Sequence, residues 1–439
     1  MVPRKAMWMA SGAESAQSMG MAFIPDPSPG PSPDPSVVPQ SPPDGLLVVT
    51  IDRLPAWMLP AWGATWVSTP ALDALAGRGL VFDRLIAAAL DPRDTLADLA
   101  AAGGLWRQAA SAGWPVAIVT DDPALPPWNA AVERFEVPAV ATTTTADRSE
   151  DTNAARLCAK VREVIAAGRH RVVWCHAGSL GVAWDAPDHF REGYVDPDDP
   201  PPPAGASVPN LSVAADTDPD LVVGIRQVFA GQLTLLDRCL GELFEAAAAG
   251  GRWAVLVVGL RGMPLGLHGI VGCEPGNPPG GLPYGEWVHL PAIFVHPDGR
   301  MAGQRYDGLV VPADLGATLL DLVRGTGAPA AEARPSGTSL VGLLDSWTAP
   351  TRDRVIVSAG DWAAIVTPAW HLVAERPRDE ATKPARLFAK PDDFFELTDV
   401  ANRCAPVANE LEQVLEPLWR GSGSAGCQQP LSAEASGRS

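Results

Sequence analysis

The sequence predicts an α/β fold in which helices cover both faces of a central sheet. Three observations carry this. Wholly apolar runs such as 46–51 (LLVVTI) read as buried parallel strands, because a strand covered on both faces needs no polar alternation. Longer segments with apolar residues at helical spacing lie between such runs. The two kinds of segment alternate along most of the 439 residues, a length that suits one large domain or two to three modest ones.

Taken in order, the chain opens on a segment that should not pack. Residues 25–43 (PDPSPGPSPDPSVVPQSPP) are too poor in apolar side chains to order themselves, so 1–44 is expected to be a disordered, PPII-prone leader. The main α/β domain is expected over 45–349, a smaller C-terminal α+β sub-domain over 350–420, and a disordered Gly/Ser-rich tail over 421–439. After the first strand, Thr69 and Pro70 read as the cap and first residue of a helix with Leu72 and Leu75 on its apolar face, stopped at Gly77 or Gly79. Further strands are expected at 116–119, 171–175, 253–258, 292–295 and 354–357. Helices are expected at 95–112, 152–167, 221–249, 312–323 and 406–418. The Pro/Asp-rich stretch 195–220 reads as a long surface loop.

Composition narrows the functional classes. Hydrophobic residues make up 46% and charged residues 19%, the balance of a packed globular protein. The net charge of −18, with no basic patch, argues against nucleic acid or an anionic membrane surface as partner. Lysine occurs only at Lys5, Lys160, Lys383 and Lys390, so nearly all positive charge is arginine. None of the six cysteines forms a C-x-x-C pair, which excludes a zinc ribbon or a thioredoxin motif and reads as buried reduced thiols. No apolar run approaches the ~20 residues of a membrane span, and the N-terminus has no continuous apolar core of a signal peptide. A cytoplasmic location is the expectation.

In sheets of this kind ligands bind beyond the carboxyl ends of the strands, so chemistry is sought there. The first strand ends in Asp52-Arg53, a carboxylate for a metal and a guanidinium for an anion, or simply a local ion pair. The next ends in Thr120-Asp121-Asp122-Pro123, a metal-binding pair or an ordinary turn. His176 follows 171–175, where a hydrogen-bonded structural role is the plain alternative. Gly259-Leu260-Arg261-Gly262 offers no carboxylate, and His268 stands between glycines in LGLHG.

With these segments in view, the chain resembles the sulfatase family of the alkaline-phosphatase-like superfamily from about Gly45 to Leu418. The resemblance rests on collinear segments: LLVVTIDRLPAWMLPAWGATWVSTPALDALAGRGLVFD, SAGWPVAIVTDD, VVWCHAGSLGVAWDAP, the run 232–262, LGLHG, VHLPAIFVHPDG, VPADLGATLLDLVRGTG and FFELTDVANRCAPVANEL. It implies a mixed central sheet and hydrolysis of sulfate or phosphate esters. A C/S-x-P-x-R nucleophile would act there with calcium or magnesium held by carboxylates. Lys and His would stabilise developing charge and protonate the leaving group.

Carried over residue by residue, that chemistry is largely absent. Asp52 stands at the first metal position as a vestige, while Arg53 and Leu260-Arg261 stand where further ligands belong. Within Leu90-Asp91-Pro92-Arg93-Asp94 the nucleophile position falls on Leu90. The general-acid position falls on Gly181. No lysine lies between Lys5 and Lys160 or between Lys160 and Lys383, so the active-site lysines cannot be recovered by a register shift. The expectation is a pseudoenzyme without catalytic residues or cofactor, in which guanidinium charge replaces the metal. Arg53, Arg93, Arg261 and His268 are then candidates for holding a small anion, or the chain binds a protein partner. Two alternatives stand beside it: a working hydrolase rebuilt on His268, His176 and Asp121-Asp122, and a scaffold whose Pro-rich leader docks a partner.

Overall fold

The run LLVVTI lies at the centre of the protein. In the computed structural model, which describes residues 43–101, 104–125, 132–272, 282–324, 337–347, 352–377, 383–422 and 430–437, it forms β1 (Gly45–Ile51), buried throughout. Then follow α1 (Pro70–Arg78), β2 (Leu80–Ile86), α2 (Pro92–Leu99), α3 (Gly104–Ser111), β3 (Val116–Thr120) and β4 (Glu133–Glu136). The middle of the chain supplies α4 (Asn153–Ala166), β5 (Val172–Ala177), α5 (Asp188–Glu192), β6 (Leu211–Ser212), the long α6 (Pro219–Ala249), β7 (Trp253–Gly259) and β8 (Ile270–Val271). Next come α7 (Gly285–Val288), β9 (His289–Val295), β10 (Gln304–Val310), α8 (Pro312–Arg324) and α9 (Val341–Ser346). The C-terminal part holds β11 (Val355–Ala359), β12 (Trp362–Val366), β13 (Trp370–Glu375), β14 (Arg386–Ala389), α10 (Ala405–Pro417) and α11 (Ala433–Ser436).

Eight strands form one sheet in the order β10-β2-β9-β7-β1-β5-β3-β4. β9 runs antiparallel to both neighbours and the rest are parallel, so the sheet is mixed, as the resemblance implied. One helix layer gathers α1, α4 and α5 on α6; another gathers α2 and α3 on α8. β1 lies between β5 and β7, so its carboxyl end meets theirs, with Ile51 paired to Ala177 and to Gly259.

A second, four-stranded antiparallel sheet, β11-β12-β13-β14, makes the C-terminal sub-domain. Its residues alternate between two cores as a period-2 strand requires. Ala364, Val366 and Val373 face the main core, whereas Ile365 and Leu372 face a smaller one with Leu411 and Leu415 of α10. Ser358 N–H donates to the Ala88 carbonyl at 2.9 Å, tying this sheet to the segment after β2.

Several expectations need correction. The helix expected over 95–112 is two helices, because Ala101 takes a left-handed φ of 49° ahead of the Gly-Gly pair. α2 starts earlier, at Pro92, where Asp91 caps it by accepting from Arg93 N–H at 2.9 Å. Thr69 makes no side-chain cap for α1. Asp237 of α6 does so instead, accepting from the N–H groups of Ala71 and Leu72 at 2.9 and 2.8 Å. The tail is structured where it is described: α11 packs Ala435, fully buried, into the smaller core. Residues 1–42 of the expected leader, and 423–429 and 438–439 of the expected tail, lie outside the described residues. Cys158, Cys175, Cys239 and Cys404 are free thiols, and Cys273 and Cys427 lie outside the described residues. Among the described residues no helix is long and apolar enough to cross a membrane.

Candidate functional site

The carboxyl ends of β1 and β7 bring Asp52 and Arg261 together, although 209 residues separate them in sequence. The backbone fixes both: Asp52 N–H donates to Ala177 O at the end of β5, and Leu260 N–H donates to Ile51 O, each at 2.9 Å. Arg261 grips Asp52 with two parallel bonds, Nε to Oδ1 at 2.8 Å and Nη2 to Oδ2 at 3.0 Å. From the other side Arg53 Nη1 donates to Oδ2 at 2.9 Å. The three side chains are only 10–12% exposed. Burial by itself would raise the Asp52 pKa. Arg261, then Arg53, outweigh it and hold the carboxyl below its ordinary range.

Arg53 is held at a left-handed φ of 62°. Its guanidinium lies directly against Gly181, at the end of the single turn Ser179–Gly181 that follows β5. A Cβ built on Gly181 would fall 1.3 Å from Arg53 Nη1 and 2.2 Å from Cζ. No side chain fits at 181 while Arg53 is there. Asp121 pins the same turn, its two oxygens accepting from Gly178 N–H at 2.6 Å and Ser179 N–H at 3.1 Å. Burial pushes the Asp121 pKa up to about 6, despite these bonds. His176, buried at the end of β5, places Nδ1 3.1 Å from Thr50 Oγ1 and Nε2 3.9 Å from Asp122 Oδ2. Its pKa is lowered by burial, with Asp52 and Asp122 opposing.

The other expected positions do not join this group. Leu90 is half-buried and packs on the main core. Arg93 is 76% exposed and folds back on its own neighbour, with Nη2 2.5 Å from Asp91 Oδ2, because α2 begins there and Asp91 is its cap. Asp91 also feels the Arg261 charge. His268 belongs to a cluster with Tyr284, Glu286 and Glu396, its ring stacked on Tyr284 at 3.7 Å. Of the anion-binding candidates, therefore, only Arg53 and Arg261 converge. The sequence reading missed the Arg53–Gly181 contact and the residues around His268. A glycine where the resemblance expects a bulky acid was the one available signal for the first.

These residues do not fit calcium or magnesium. Both oxygens of Asp52 already accept from guanidinium groups, which repel a divalent cation, and Arg53, Leu260 and Arg261 offer it no lone pair. Among the described residues no three His, Cys, Asp or Glu side chains come together as a metal-holding group.

No protein-family profile matches the sequence, and no curated protein does. Solved structures do. The phosphonate monoester hydrolase of Agrobacterium radiobacter superposes with a TM-score of 0.66, at 17% identity over 87% of this chain and 96% of that one. BT4656, solved with its substrate D-glucosamine-2-N,6-O-disulfate, gives 0.66 at 13% identity over 89% and 100%. BT1596, a 2-O GAG sulfatase, gives 0.63 at 16% identity over 90% and 96%. What they share with this chain is architecture: it has the sulfatase, or alkaline-phosphatase-like, fold.

Proposed function

We propose that this protein keeps the sulfatase fold without hydrolysing esters. One observation carries it: Asp52, the carboxylate at the end of the central strand β1, is closed on both sides by Arg261 and Arg53. The charge a metal would supply to a transferring sulfuryl or phosphoryl group is replaced by two guanidinium groups. Leu90 brings no nucleophile, and Gly181 brings no proton donor. Arg53 fills the space where a side chain at 181 would reach in.

The same ion pairs speak against a small-anion site. Arg53 and Arg261 already serve Asp52 and are largely buried, so an incoming sulfate would have to displace a charge-assisted carboxylate. The test is turnover by the full chain of an aryl sulfate, an aryl phosphate and a phenylphosphonate monoester, with magnesium, calcium or manganese supplied. The expected rate is that of buffer alone. Metal-dependent turnover that Asp52→Ala abolishes would overturn the proposal.

A further inference from the structure

Loop 390–398 carries the C-terminal sub-domain onto the large domain, and its inner face is charged. The loop is braced within itself: Asp393 accepts from the N–H groups of Leu397 and Thr398 at 2.9 and 2.8 Å, and Lys390 Nζ donates to the carbonyls of Asp393 and Phe394 at 2.8 and 2.9 Å. Glu396 sits at a left-handed φ of 54° and is only 3% exposed. Its carboxylate accepts from Gly285 N–H of the large domain at 2.7 Å and from His371 Nδ1 of β13 at 2.9 Å, and His371 Nε2 meets the Pro283 carbonyl at 2.9 Å, so that ring also faces two acceptors. Lys390 Nζ lies 2.6 Å from the same carboxylate.

His268 completes the junction from the large domain. Its Nδ1 meets Glu286 Oε1 at 2.9 Å, and its Nε2 meets the Glu396 carbonyl at 3.2 Å. A carbonyl and a carboxylate both accept, and a neutral imidazole carries only one N–H. Both bonds are therefore made together only by the imidazolium. We propose that His268 is a protonation-dependent latch between the two parts of the chain, closed as the imidazolium and loosened as the neutral ring.

The surroundings agree with a latch. Tyr284 stacks on the ring and accepts a hydrogen bond from Arg386 of β14. Arg226 of α6 acts on Glu286 from the other side. Burial alone would lower the His268 pKa, but Glu286 and the Glu396 carbonyl prevail and raise it. Glu396 stays charged throughout, since His371 and Lys390 outweigh its burial. His289, against Phe394, is held neutral by burial, which pushes its pKa down to about 4. The pair of bonds is thus fully made below the ordinary histidine value, and one of the two is lost as pH rises through the raised one. Phe395, next to Glu396, packs edge-on against Trp57 in the turn after Asp52 and Arg53, ring centres 6.2 Å apart. Releasing the latch loosens the loop over that turn. This inference goes beyond the proposed function and stands whether or not the chain hydrolyses an ester.

Hydrogen exchange on the full chain tests it. Corrected for the chemical exchange rate, protection of 393–401 should fall about ten-fold between pH 6 and about 8.5, while that of 45–51 holds. Gln at 268 cannot titrate, so His268→Gln should reduce that pH dependence at least two-fold, leaving only what His371 on the same carboxylate contributes. Glu286→Gln should move the midpoint of the loss down by about one pH unit, since it removes the anion that holds the proton. Protection of 393–401 that is independent of pH in the unaltered protein overturns the latch without recourse to any variant. So does a dependence as large in His268→Gln as in the unaltered protein, or a midpoint that Glu286→Gln leaves in place.

Discussion

At the scale of the residue, the account turns on how Asp52, Arg53, Gly181 and Arg261 share one volume. Gly181→Ala would drive a methyl group into the Arg53 guanidinium, so Arg53 would have to shift from its bond to Asp52 or the turn would have to move. A loss of about 1–3 kcal/mol is expected, the usual cost of overpacking. Arg53→Ala should relieve most of it, so denaturant unfolding of both single variants and the double variant should show clear coupling. Asp52→Ala removes the carboxylate that both guanidinium groups share and should cost about 3–5 kcal/mol by the same measurement. Part of this site was legible in the sequence. Asp52, Arg53 and Arg261 carry their charges in plain view, and the order of segments placed them at strand ends. The fit of Arg53 against Gly181 was not legible, because 128 positions separate them and only the pairing of β1 with β5 closes the distance.

Among the elements, those with a strong internal pattern could be read and those defined by a neighbour could not. β1, β5, β7 and α6 announce themselves by apolar runs or helical spacing. β4 (ERFE) is a charged edge strand and β10 (QRYDGLV) is polar over its first half, so neither looks like a strand without the partner it pairs with. The start of α1 teaches the same lesson, since its cap comes from Asp237 on α6. Asp237→Ala should destabilise the protein by about 1 kcal/mol or more in denaturant unfolding, the cost of a lost N-cap. Burial pushes the pKa values of Asp237 and Asp121 to about 6, so the folded state binds protons there before the unfolded chain does. Their share of the stability should therefore grow as pH falls from 7 towards 5, against the opposing share of His289 and His176, whose pKa values burial lowers. By calorimetry the Tm of the unaltered protein should gain on that of Asp121→Asn over this range. Asp52 and Glu396, whose pKa values are lowered, withdraw their contributions only in more acid solution.

For the molecule as a whole, the eight-stranded sheet and the buried face of the C-terminal sub-domain preserve an architecture shared with sulfatases and phosphonate monoester hydrolases. On the proposed reading, Asp52, Arg53 and Arg261 at the strand ends serve an internal ion-pair network in place of chemistry. A packed sheet depends on apolar runs and their register, and these tolerate the loss of any single polar residue at a strand end. A metal centre depends on several such residues at once. The most direct measurement is a calcium and magnesium titration of the full chain, followed by isothermal calorimetry, beside the Asp52→Ala variant. The account predicts no stoichiometric tight binding by either protein. One cation bound tightly per chain, and lost in Asp52→Ala, would contradict it.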